Sequence, residues 1–271
     1  MIALEDGFAD VIGKAQRGLR LSDTELAEKA RVSSQKIRKL REGELDELAL
    51  LRVGGVLNLA TRALSELATG EWRPEKEEIE GLAQFHTRYH DTGVNAYLAW
   101  SPGSREAVAF DTGADCADML ALAVRQKLKI KLILLTHAHP DHVADLEVLR
   151  KETGAPIYIS SREPVPGAEL IEEGKDFHVG KLKIDARLTW GHSRGGMTYV
   201  IHGLARPVAV VGDSLFAGSM GGGSVSYEDA LRNNLEKILT LPDETIICPG
   251  HGPMTTVGEE KVHNPFFAGR L

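Results

Sequence analysis

From residue 1 to about residue 70, apolar positions recur at three- and four-residue spacing, at Leu21, Leu26, Ala27, Ala30, Val32, Ile37 and Leu40. That period places them on one face of a helix. Ser22, followed three residues later by Glu25, forms a capping box in which each side chain satisfies the other's backbone amide. The pattern predicts a helix over 22–30, a turn at Arg31-Val32-Ser33, and a second helix from Ser33 or Ser34 to Arg41, stopping before Gly43. Further helices are predicted near 45–52 and 60–68. The stretch Gly70–Glu80 is charged, broken by Gly and Pro and without period, and reads as a linker. Beyond it, short apolar runs alternate with helical patterns. Strands are predicted at 95–100, 107–111, 131–135, 157–160, 182–188, 197–201, 208–211 and 244–248, and helices at 116–127, 143–153 and 226–239. The expected organisation is a small all-α domain (1–72), a linker (73–84) and an α/β domain (85–271).

Composition narrows the class. At 42% hydrophobic and 26% charged residues the chain is an ordinary globular one, so disorder is excluded as an organising feature. No apolar run approaches a membrane span, and no membrane partner is expected. The N-terminus lacks a basic region followed by an apolar core, so a secretory signal is not expected. Cys116 and Cys248 are too few for a disulfide framework and lack CxxC spacing, which points to a reducing cytoplasm. The net charge of -7 argues against a protein that coats nucleic acid. Residues 1–70 are balanced in charge, so the acidic excess lies wholly downstream.

The densest chemistry is Thr136-His137-Ala138-His139-Pro140-Asp141-His142, which follows the apolar run Lys131–Leu135. Imidazole suits zinc and iron, and a carboxylate adds charge and can act as a base. The ligands stand just past a strand, where α/β proteins place their chemistry. His137 and His139 lack a third ligand for one metal, and Asp141 and His142 lack one for a second. Three later residues sit where a strand gives way to a Gly-flanked loop: His192 in Gly191-His192-Ser193, Asp213 after Val208–Gly212, and His251 in Pro249-Gly250-His251-Gly252. Glycine beside a ligand lets the backbone approach closely.

The ordered set HxHxDH, His, Asp, His resembles the metallo-β-lactamase superfamily over about residues 85–271. The resemblance implies an αββα sandwich with a metal site at one edge. It implies that His137, His139 and His192 bind one metal, that Asp141, His142 and His251 bind the other, and that Asp213 bridges them. Two divalent ions are implied, zinc first, with iron or manganese as alternatives. Asp111, in Phe110-Asp111-Thr112-Gly113, would orient a ligand histidine, and Asp141 would accept the proton in catalysis. Gly212–Ser219, Leu239–Thr245, Pro249–Pro253, Thr255–Glu260 and Asn264-Pro265-Phe266 are similar to the glyoxalase II (hydroxyacylglutathione hydrolase) branch, which also contains iron-dependent persulfide dioxygenases. The implied activity is hydrolysis of a small thioester or ester by a metal-bridging hydroxide, with a mononuclear-iron dioxygenase as the alternative. Ser193-Arg194-Gly195-Gly196 and Met220-Gly221-Gly222-Gly223 depart from that branch, and only about twenty residues follow His251. The likeness therefore extends to the metal ligands and leaves the thiol carrier open, with Arg194 a candidate anion contact.

Residues Leu21–Gly43 resemble the helix-turn-helix of phage-repressor-like DNA-binding domains, on Glu25-Leu26-Ala27, the Val32-Ser33 turn, Ile37 and Glu42-Gly43. The resemblance makes the second helix a recognition helix. Ser34, Gln35 and Arg38 would reach base edges, while Lys36, Lys39 and Arg41 complete a basic face. A transcriptional regulator with a ligand-sensing second domain, and pairing into a homodimer, follow from it. The neutral charge of this region equally fits a helical module used for packing or dimerisation.

Overall fold

The computed structural model describes residues 2–270. Five helices come first: α1 (Phe8–Gly18), α2 (Asp23–Ala30), α3 (Ser34–Arg41), α4 (Glu47–Val56) and α5 (Thr61–Thr69). The Ser22–Glu25 box caps α2, and Arg31 ends it in the left-handed conformation at φ 54°. Ser33 then caps α3, so the turn and both helices fall where the apolar period puts them.

Two six-stranded sheets follow. The first runs β1 (Leu82–Tyr89), β2 (Thr92–Trp100), β3 (Glu106–Phe110), β4 (Lys129–Leu134), β5 (Ile157–Ser160) and β6 (Glu169–Ile171), in sequence order across the sheet. Helix α6 (Ala117–Gln126) connects β3 to its parallel neighbour β4, and α7 (Pro140–Val143) and α8 (Leu146–Thr153) connect β4 to β5. The second sheet contains β7 (Asp176–Val179), β8 (Leu182–Leu188), β9 (Met197–His202), β10 (Val208–Gly212), β11 (Ile246–Pro249) and β12 (Thr255–Thr256). Between β10 and β11 lies α9 (Tyr227–Asn233), which widens into a π-helical turn at Asn234–Ile238; α10 (Val257–His263) follows β12.

Period-two alternation sorts the strand side chains into layers. Tyr97, Ala99, Tyr199, Ile201, Val208 and Val210 meet between the sheets. Ala96 and Leu98 point the other way, into a cluster with Met119, Ala123 and Leu149 of α6 and α8. Val200, Ala209 and Val211 point outward from the second sheet and meet Ala230, Phe266 and Phe267.

Several features differ from the expectation. Strand β1 begins at Leu82, inside the segment read as linker to residue 84. It is an edge strand of mixed burial, so it has no apolar run to read. Strands β6, β7 and β12 were likewise not expected; they are two to four residues long. The N-terminal helices also share a core with the second sheet rather than enclosing one alone. Ile12, Leu26, Ile37, Leu50 and Leu64 are continuous with Val200, Ala209, Ile247 and Phe266. His263 Nδ1 lies 2.7 Å from Glu66 Oε2, and Ala60 N donates to Pro265 O at 2.7 Å, so α5 is fastened to the α10 end of the sandwich. No helix is long and apolar enough to cross a membrane among the described residues.

Candidate metal centre

The ends of β3, β4, β8, β10 and β11 lie along one edge, because β3 pairs parallel with β4, β10 with β11, and β8 reaches β10 through the antiparallel β9. Asp111, His137, His192, Asp213 and His251 each follow one of these ends. Pro140 at the first position of α7 turns the chain so that Asp141 and His142 join them. Gly250 fits because a Cβ there would stand 2.1 Å from Asp213 Oδ1, which only glycine avoids.

The structure brings together all seven residues read as ligands. One ligand atom from each of His137, His139, His192 and Asp213 lies within 4.8 Å of the others, as do those of Asp141, His142 and His251. Asp213 stands between the groups. Its Oδ2 is 3.2 Å from His192 Nε2 and 3.4 Å from His251 Nε2, and its Oδ1 is 3.3 Å from His142 Nε2. Asp141 Oδ2 is 3.3 Å from His251 Nε2 and 3.8 Å from His142 Nε2.

The hydrogen bonds behind the cluster orient its nitrogens. His251 Nδ1 donates to Gly93 O at 2.6 Å, and His192 Nδ1 donates to Gly222 O at 3.1 Å. His142 Nδ1 donates to Asp111 Oδ2 at 2.8 Å. The Thr136 hydroxyl donates its one proton to Asp111 at 2.7 Å and accepts from His137 Nδ1 at 3.1 Å. Four imidazoles thus keep the Nε2 lone pair for the cluster, which is how metal-ligating histidines are set. His139 faces it with Nδ1, 3.1 Å from His192 Nε2. His137 Nε2, His142 Nε2 and Asp213 Oδ1 are buried without a hydrogen-bond partner. Buried polar atoms normally have one. Orphaned donors of nitrogen and oxygen type, converging on one place, fit divalent cations.

The electrostatics agree. Burial opposes charge on His142, but Asp213 and Asp111 outweigh it and push the imidazole up to about 10. Burial likewise opposes charge on His251, but Asp213 and Asp141 push it up to about 11. Asp213 is held well below the usual carboxylate range: burial opposes this, and the charges of His142 and His251 prevail. Burial, then the neighbouring His142, pushes His137 well below its ordinary value. Three carboxylates demand positive charge here, and metal ions on the same nitrogens would displace the protons.

Backbone carbonyls Gly93 O and Gly222 O carry no side-chain signal, so sequence reasoning missed them. Arg194 is exposed. Along α3, Gln35, Lys36, Arg38, Lys39 and Arg41 are exposed and Ser34 is half-buried. Lys36 pairs with Asp46 at 2.6 Å, Lys39 with Glu44 at 2.5 Å and Arg41 with Asp23 at 2.9 Å.

Comparison with known proteins accords with this geometry. A Bacillus subtilis protein named probable metallo-hydrolase YqgX is 30% identical over 202 residues, covering 65% of this chain and 93% of the relative. The Haemophilus influenzae hydroxyacylglutathione hydrolase GloC is 27% identical over 197 residues, covering 64% and 92%. The crystal structure of TTHA1623 in a di-iron-bound form superposes with a TM-score of 0.57 at 30% identity, covering 68% of this chain and all of that one. The family model for the metallo-beta-lactamase superfamily matches residues 90–251, from the turn before β2 to the last candidate ligand, and the chain belongs to that superfamily.

Proposed function

We propose that the protein is a hydrolase of small thioesters or esters that works with two divalent cations. The observation that carries this reading is the Asp213 carboxylate, whose two oxygens face both ligand groups. His137, His139 and His192 would hold one ion, Asp141, His142 and His251 the other, with Asp213 shared. Nitrogen and oxygen donors of this kind suit zinc, and also iron or manganese. When bound, the pair supplies Lewis acidity and lowers the pKa of water toward neutrality. A relative named as a hydroxyacylglutathione hydrolase and a neighbour solved in a di-iron form support the thioester class and the pairing.

The chain's own contribution is orientation and proton handling. Asp111 fixes the tautomers of His142 directly and of His137 through Thr136. Asp141 is the more exposed carboxylate of the cluster, at 18% against 7% for Asp213. Burial opposes its ionisation, yet the His251 hydrogen bond and the His142 charge hold it below the usual range. An ionised carboxylate at the open side can take the proton from an attacking water.

The test is metal analysis of the purified chain with a panel of thioesters, lactones and phosphodiesters. Two ions per chain and thioester turnover are expected, and Asp213→Ala should lose both. One iron per chain with oxygen consumption on a persulfide would replace this reading with the dioxygenase one. Unaltered turnover in Asp213→Ala would remove the bridging role.

A further inference from the structure

The N-terminal segment reaches the metal centre. Asp6, only 7% exposed, accepts from Ser219 Oγ at 2.6 Å and pairs with Lys14. Lys14 Nζ donates to Met220 O at 2.8 Å and lies 5.0 Å from the centre of the Phe216 ring, which stands edge-on to His251. These contacts seat α1 on the loop whose Gly222 O orients His192. Farther along, Gly18 abuts Tyr227 so closely that a Cβ would come within 2.2 Å of its ring.

A cavity of about 750 Å³ adjoins both contacts, lined by Lys14, Arg17 and Arg20 on one side and by residues between Gly222 and Glu228 on the other. That is the size of a small-molecule site. Gly222 is both a wall of this cavity and the acceptor of the His192 hydrogen bond, so the cavity lies beside the ligand cluster. Lys14 is matched by Asp6, whereas Arg17 and Arg20 have no carboxylate within ion-pair distance among the described residues. Glu228 is the one acid of the lining and is exposed. Arg17 and Arg20 are exposed and solvated, and they set two guanidinium groups on the α1 wall of the cavity, where an anion entering from solvent would meet them. The guanidinium fork fits carboxylate and phosphate alike.

We propose that this cavity holds an anionic tail of the substrate, with Arg17 and Arg20 binding its carboxylate or phosphate while the ester lies across Gly222 at the ligand cluster. The inference rests on the hydrolase reading and extends it. It gives substrate selection to α1, outside the matched residues 90–251.

The test uses the full chain, metal-loaded, with three lactoyl thioesters: of 3-mercaptopropionate (carboxylate), of coenzyme A (phosphate) and of N-acetylcysteamine (neutral). The kcat/KM ratio of an anionic to the neutral substrate is expected to fall roughly tenfold or more in Arg17→Ala/Arg20→Ala, mainly through KM, as loss of charged hydrogen bonds implies. Arg17→Lys/Arg20→Lys should retain part of the preference, which a collapsed wall would not. Lys29→Ala, which removes an exposed cation on α2, should leave the ratio unchanged. The second readout is calorimetric binding of the matching non-hydrolysable thioethers, which needs no turnover. Whichever anionic thioether loses affinity in the double alanine variant identifies the tail. Lost binding without hydrolysis of any thioester overturns the hydrolase reading and keeps the subsite. Hydrolysis with no anionic preference, and thioether affinity unchanged in the double variant, overturns the subsite.

Discussion

Asp111 Oδ2 accepts from His142 Nδ1 at 2.8 Å while the same carboxylate receives the Thr136 hydroxyl and amide, each at 2.7 Å. One buried side chain therefore sets two ligand tautomers, His142 directly and His137 through Thr136. Its backbone is left-handed at φ 56°, a conformation that Asp and Asn share. Asp111→Asn should therefore fold, yet an amide nitrogen replaces one acceptor oxygen. Metal affinity, read by competition with a chelator, is expected to fall about 10–100-fold. Unchanged affinity would show that Asp111 does not govern ligand orientation.

Asp141→Asn separates proton transfer from ligation. At matched metal occupancy, kcat on the best thioester is expected to fall on the order of 100-fold or more, the usual weight of a positioned general base. A loss that only tracks the metal content would assign Asp141 to ligation alone.

The candidate ligands come together in the fold, and their grouping was legible because each half of the signal is local. His137 to His142 lie within one turn after β4, and His192, Asp213 and His251 each mark a strand end beside glycine. The α2–α3 pair was legible for the same reason, since the Ser22–Glu25 box and the Ser33 cap close over three residues. What escaped depends on contacts far apart in sequence. Lys14 meets Met220 across 206 positions, and His251 meets Gly93 across 158. Neither partner atom is a side chain, so no residue type announces it. Strand β1 escaped because an edge strand open to solvent needs no apolar alternation.

Helix α3 offers few free cations to a phosphate backbone. Its Lys36, Lys39 and Arg41 face Asp46, Glu44 and Asp23. Each must exchange a carboxylate for a phosphate, while Arg38 alone of the four basic residues in α3 has no such partner among the described residues. DNA affinity is expected to fall with salt at a log–log slope near about -1, one phosphate's worth. The variant Asp23→Asn/Glu44→Gln/Asp46→Asn should steepen it. A wild-type slope near about -4 would instead support a groove-bound recognition helix.

Glu260 contributes its own pH dependence to the fold. It is fully buried and accepts from Gly218 N at 3.1 Å, Thr255 Oγ1 at 2.9 Å and Asn264 Nδ2 at 2.7 Å, tying α10 to the loop that carries Met220. Burial, opposed by these hydrogen bonds, pushes its carboxyl up from 4.5 to about 8. Between those values the unfolded chain has released a proton that the folded chain retains. The contribution of Glu260 to stability must then fall as pH rises through that window and level off above it. The decline is on the order of a few kcal/mol. Glu260→Gln keeps the shape and removes the titration. The difference in unfolding free energy between wild type and variant, from urea melts at pH 5, 7 and 9, should therefore shift against the wild type as pH rises. A difference that stays flat across the three would mean that Glu260 keeps its ordinary pKa in the folded chain.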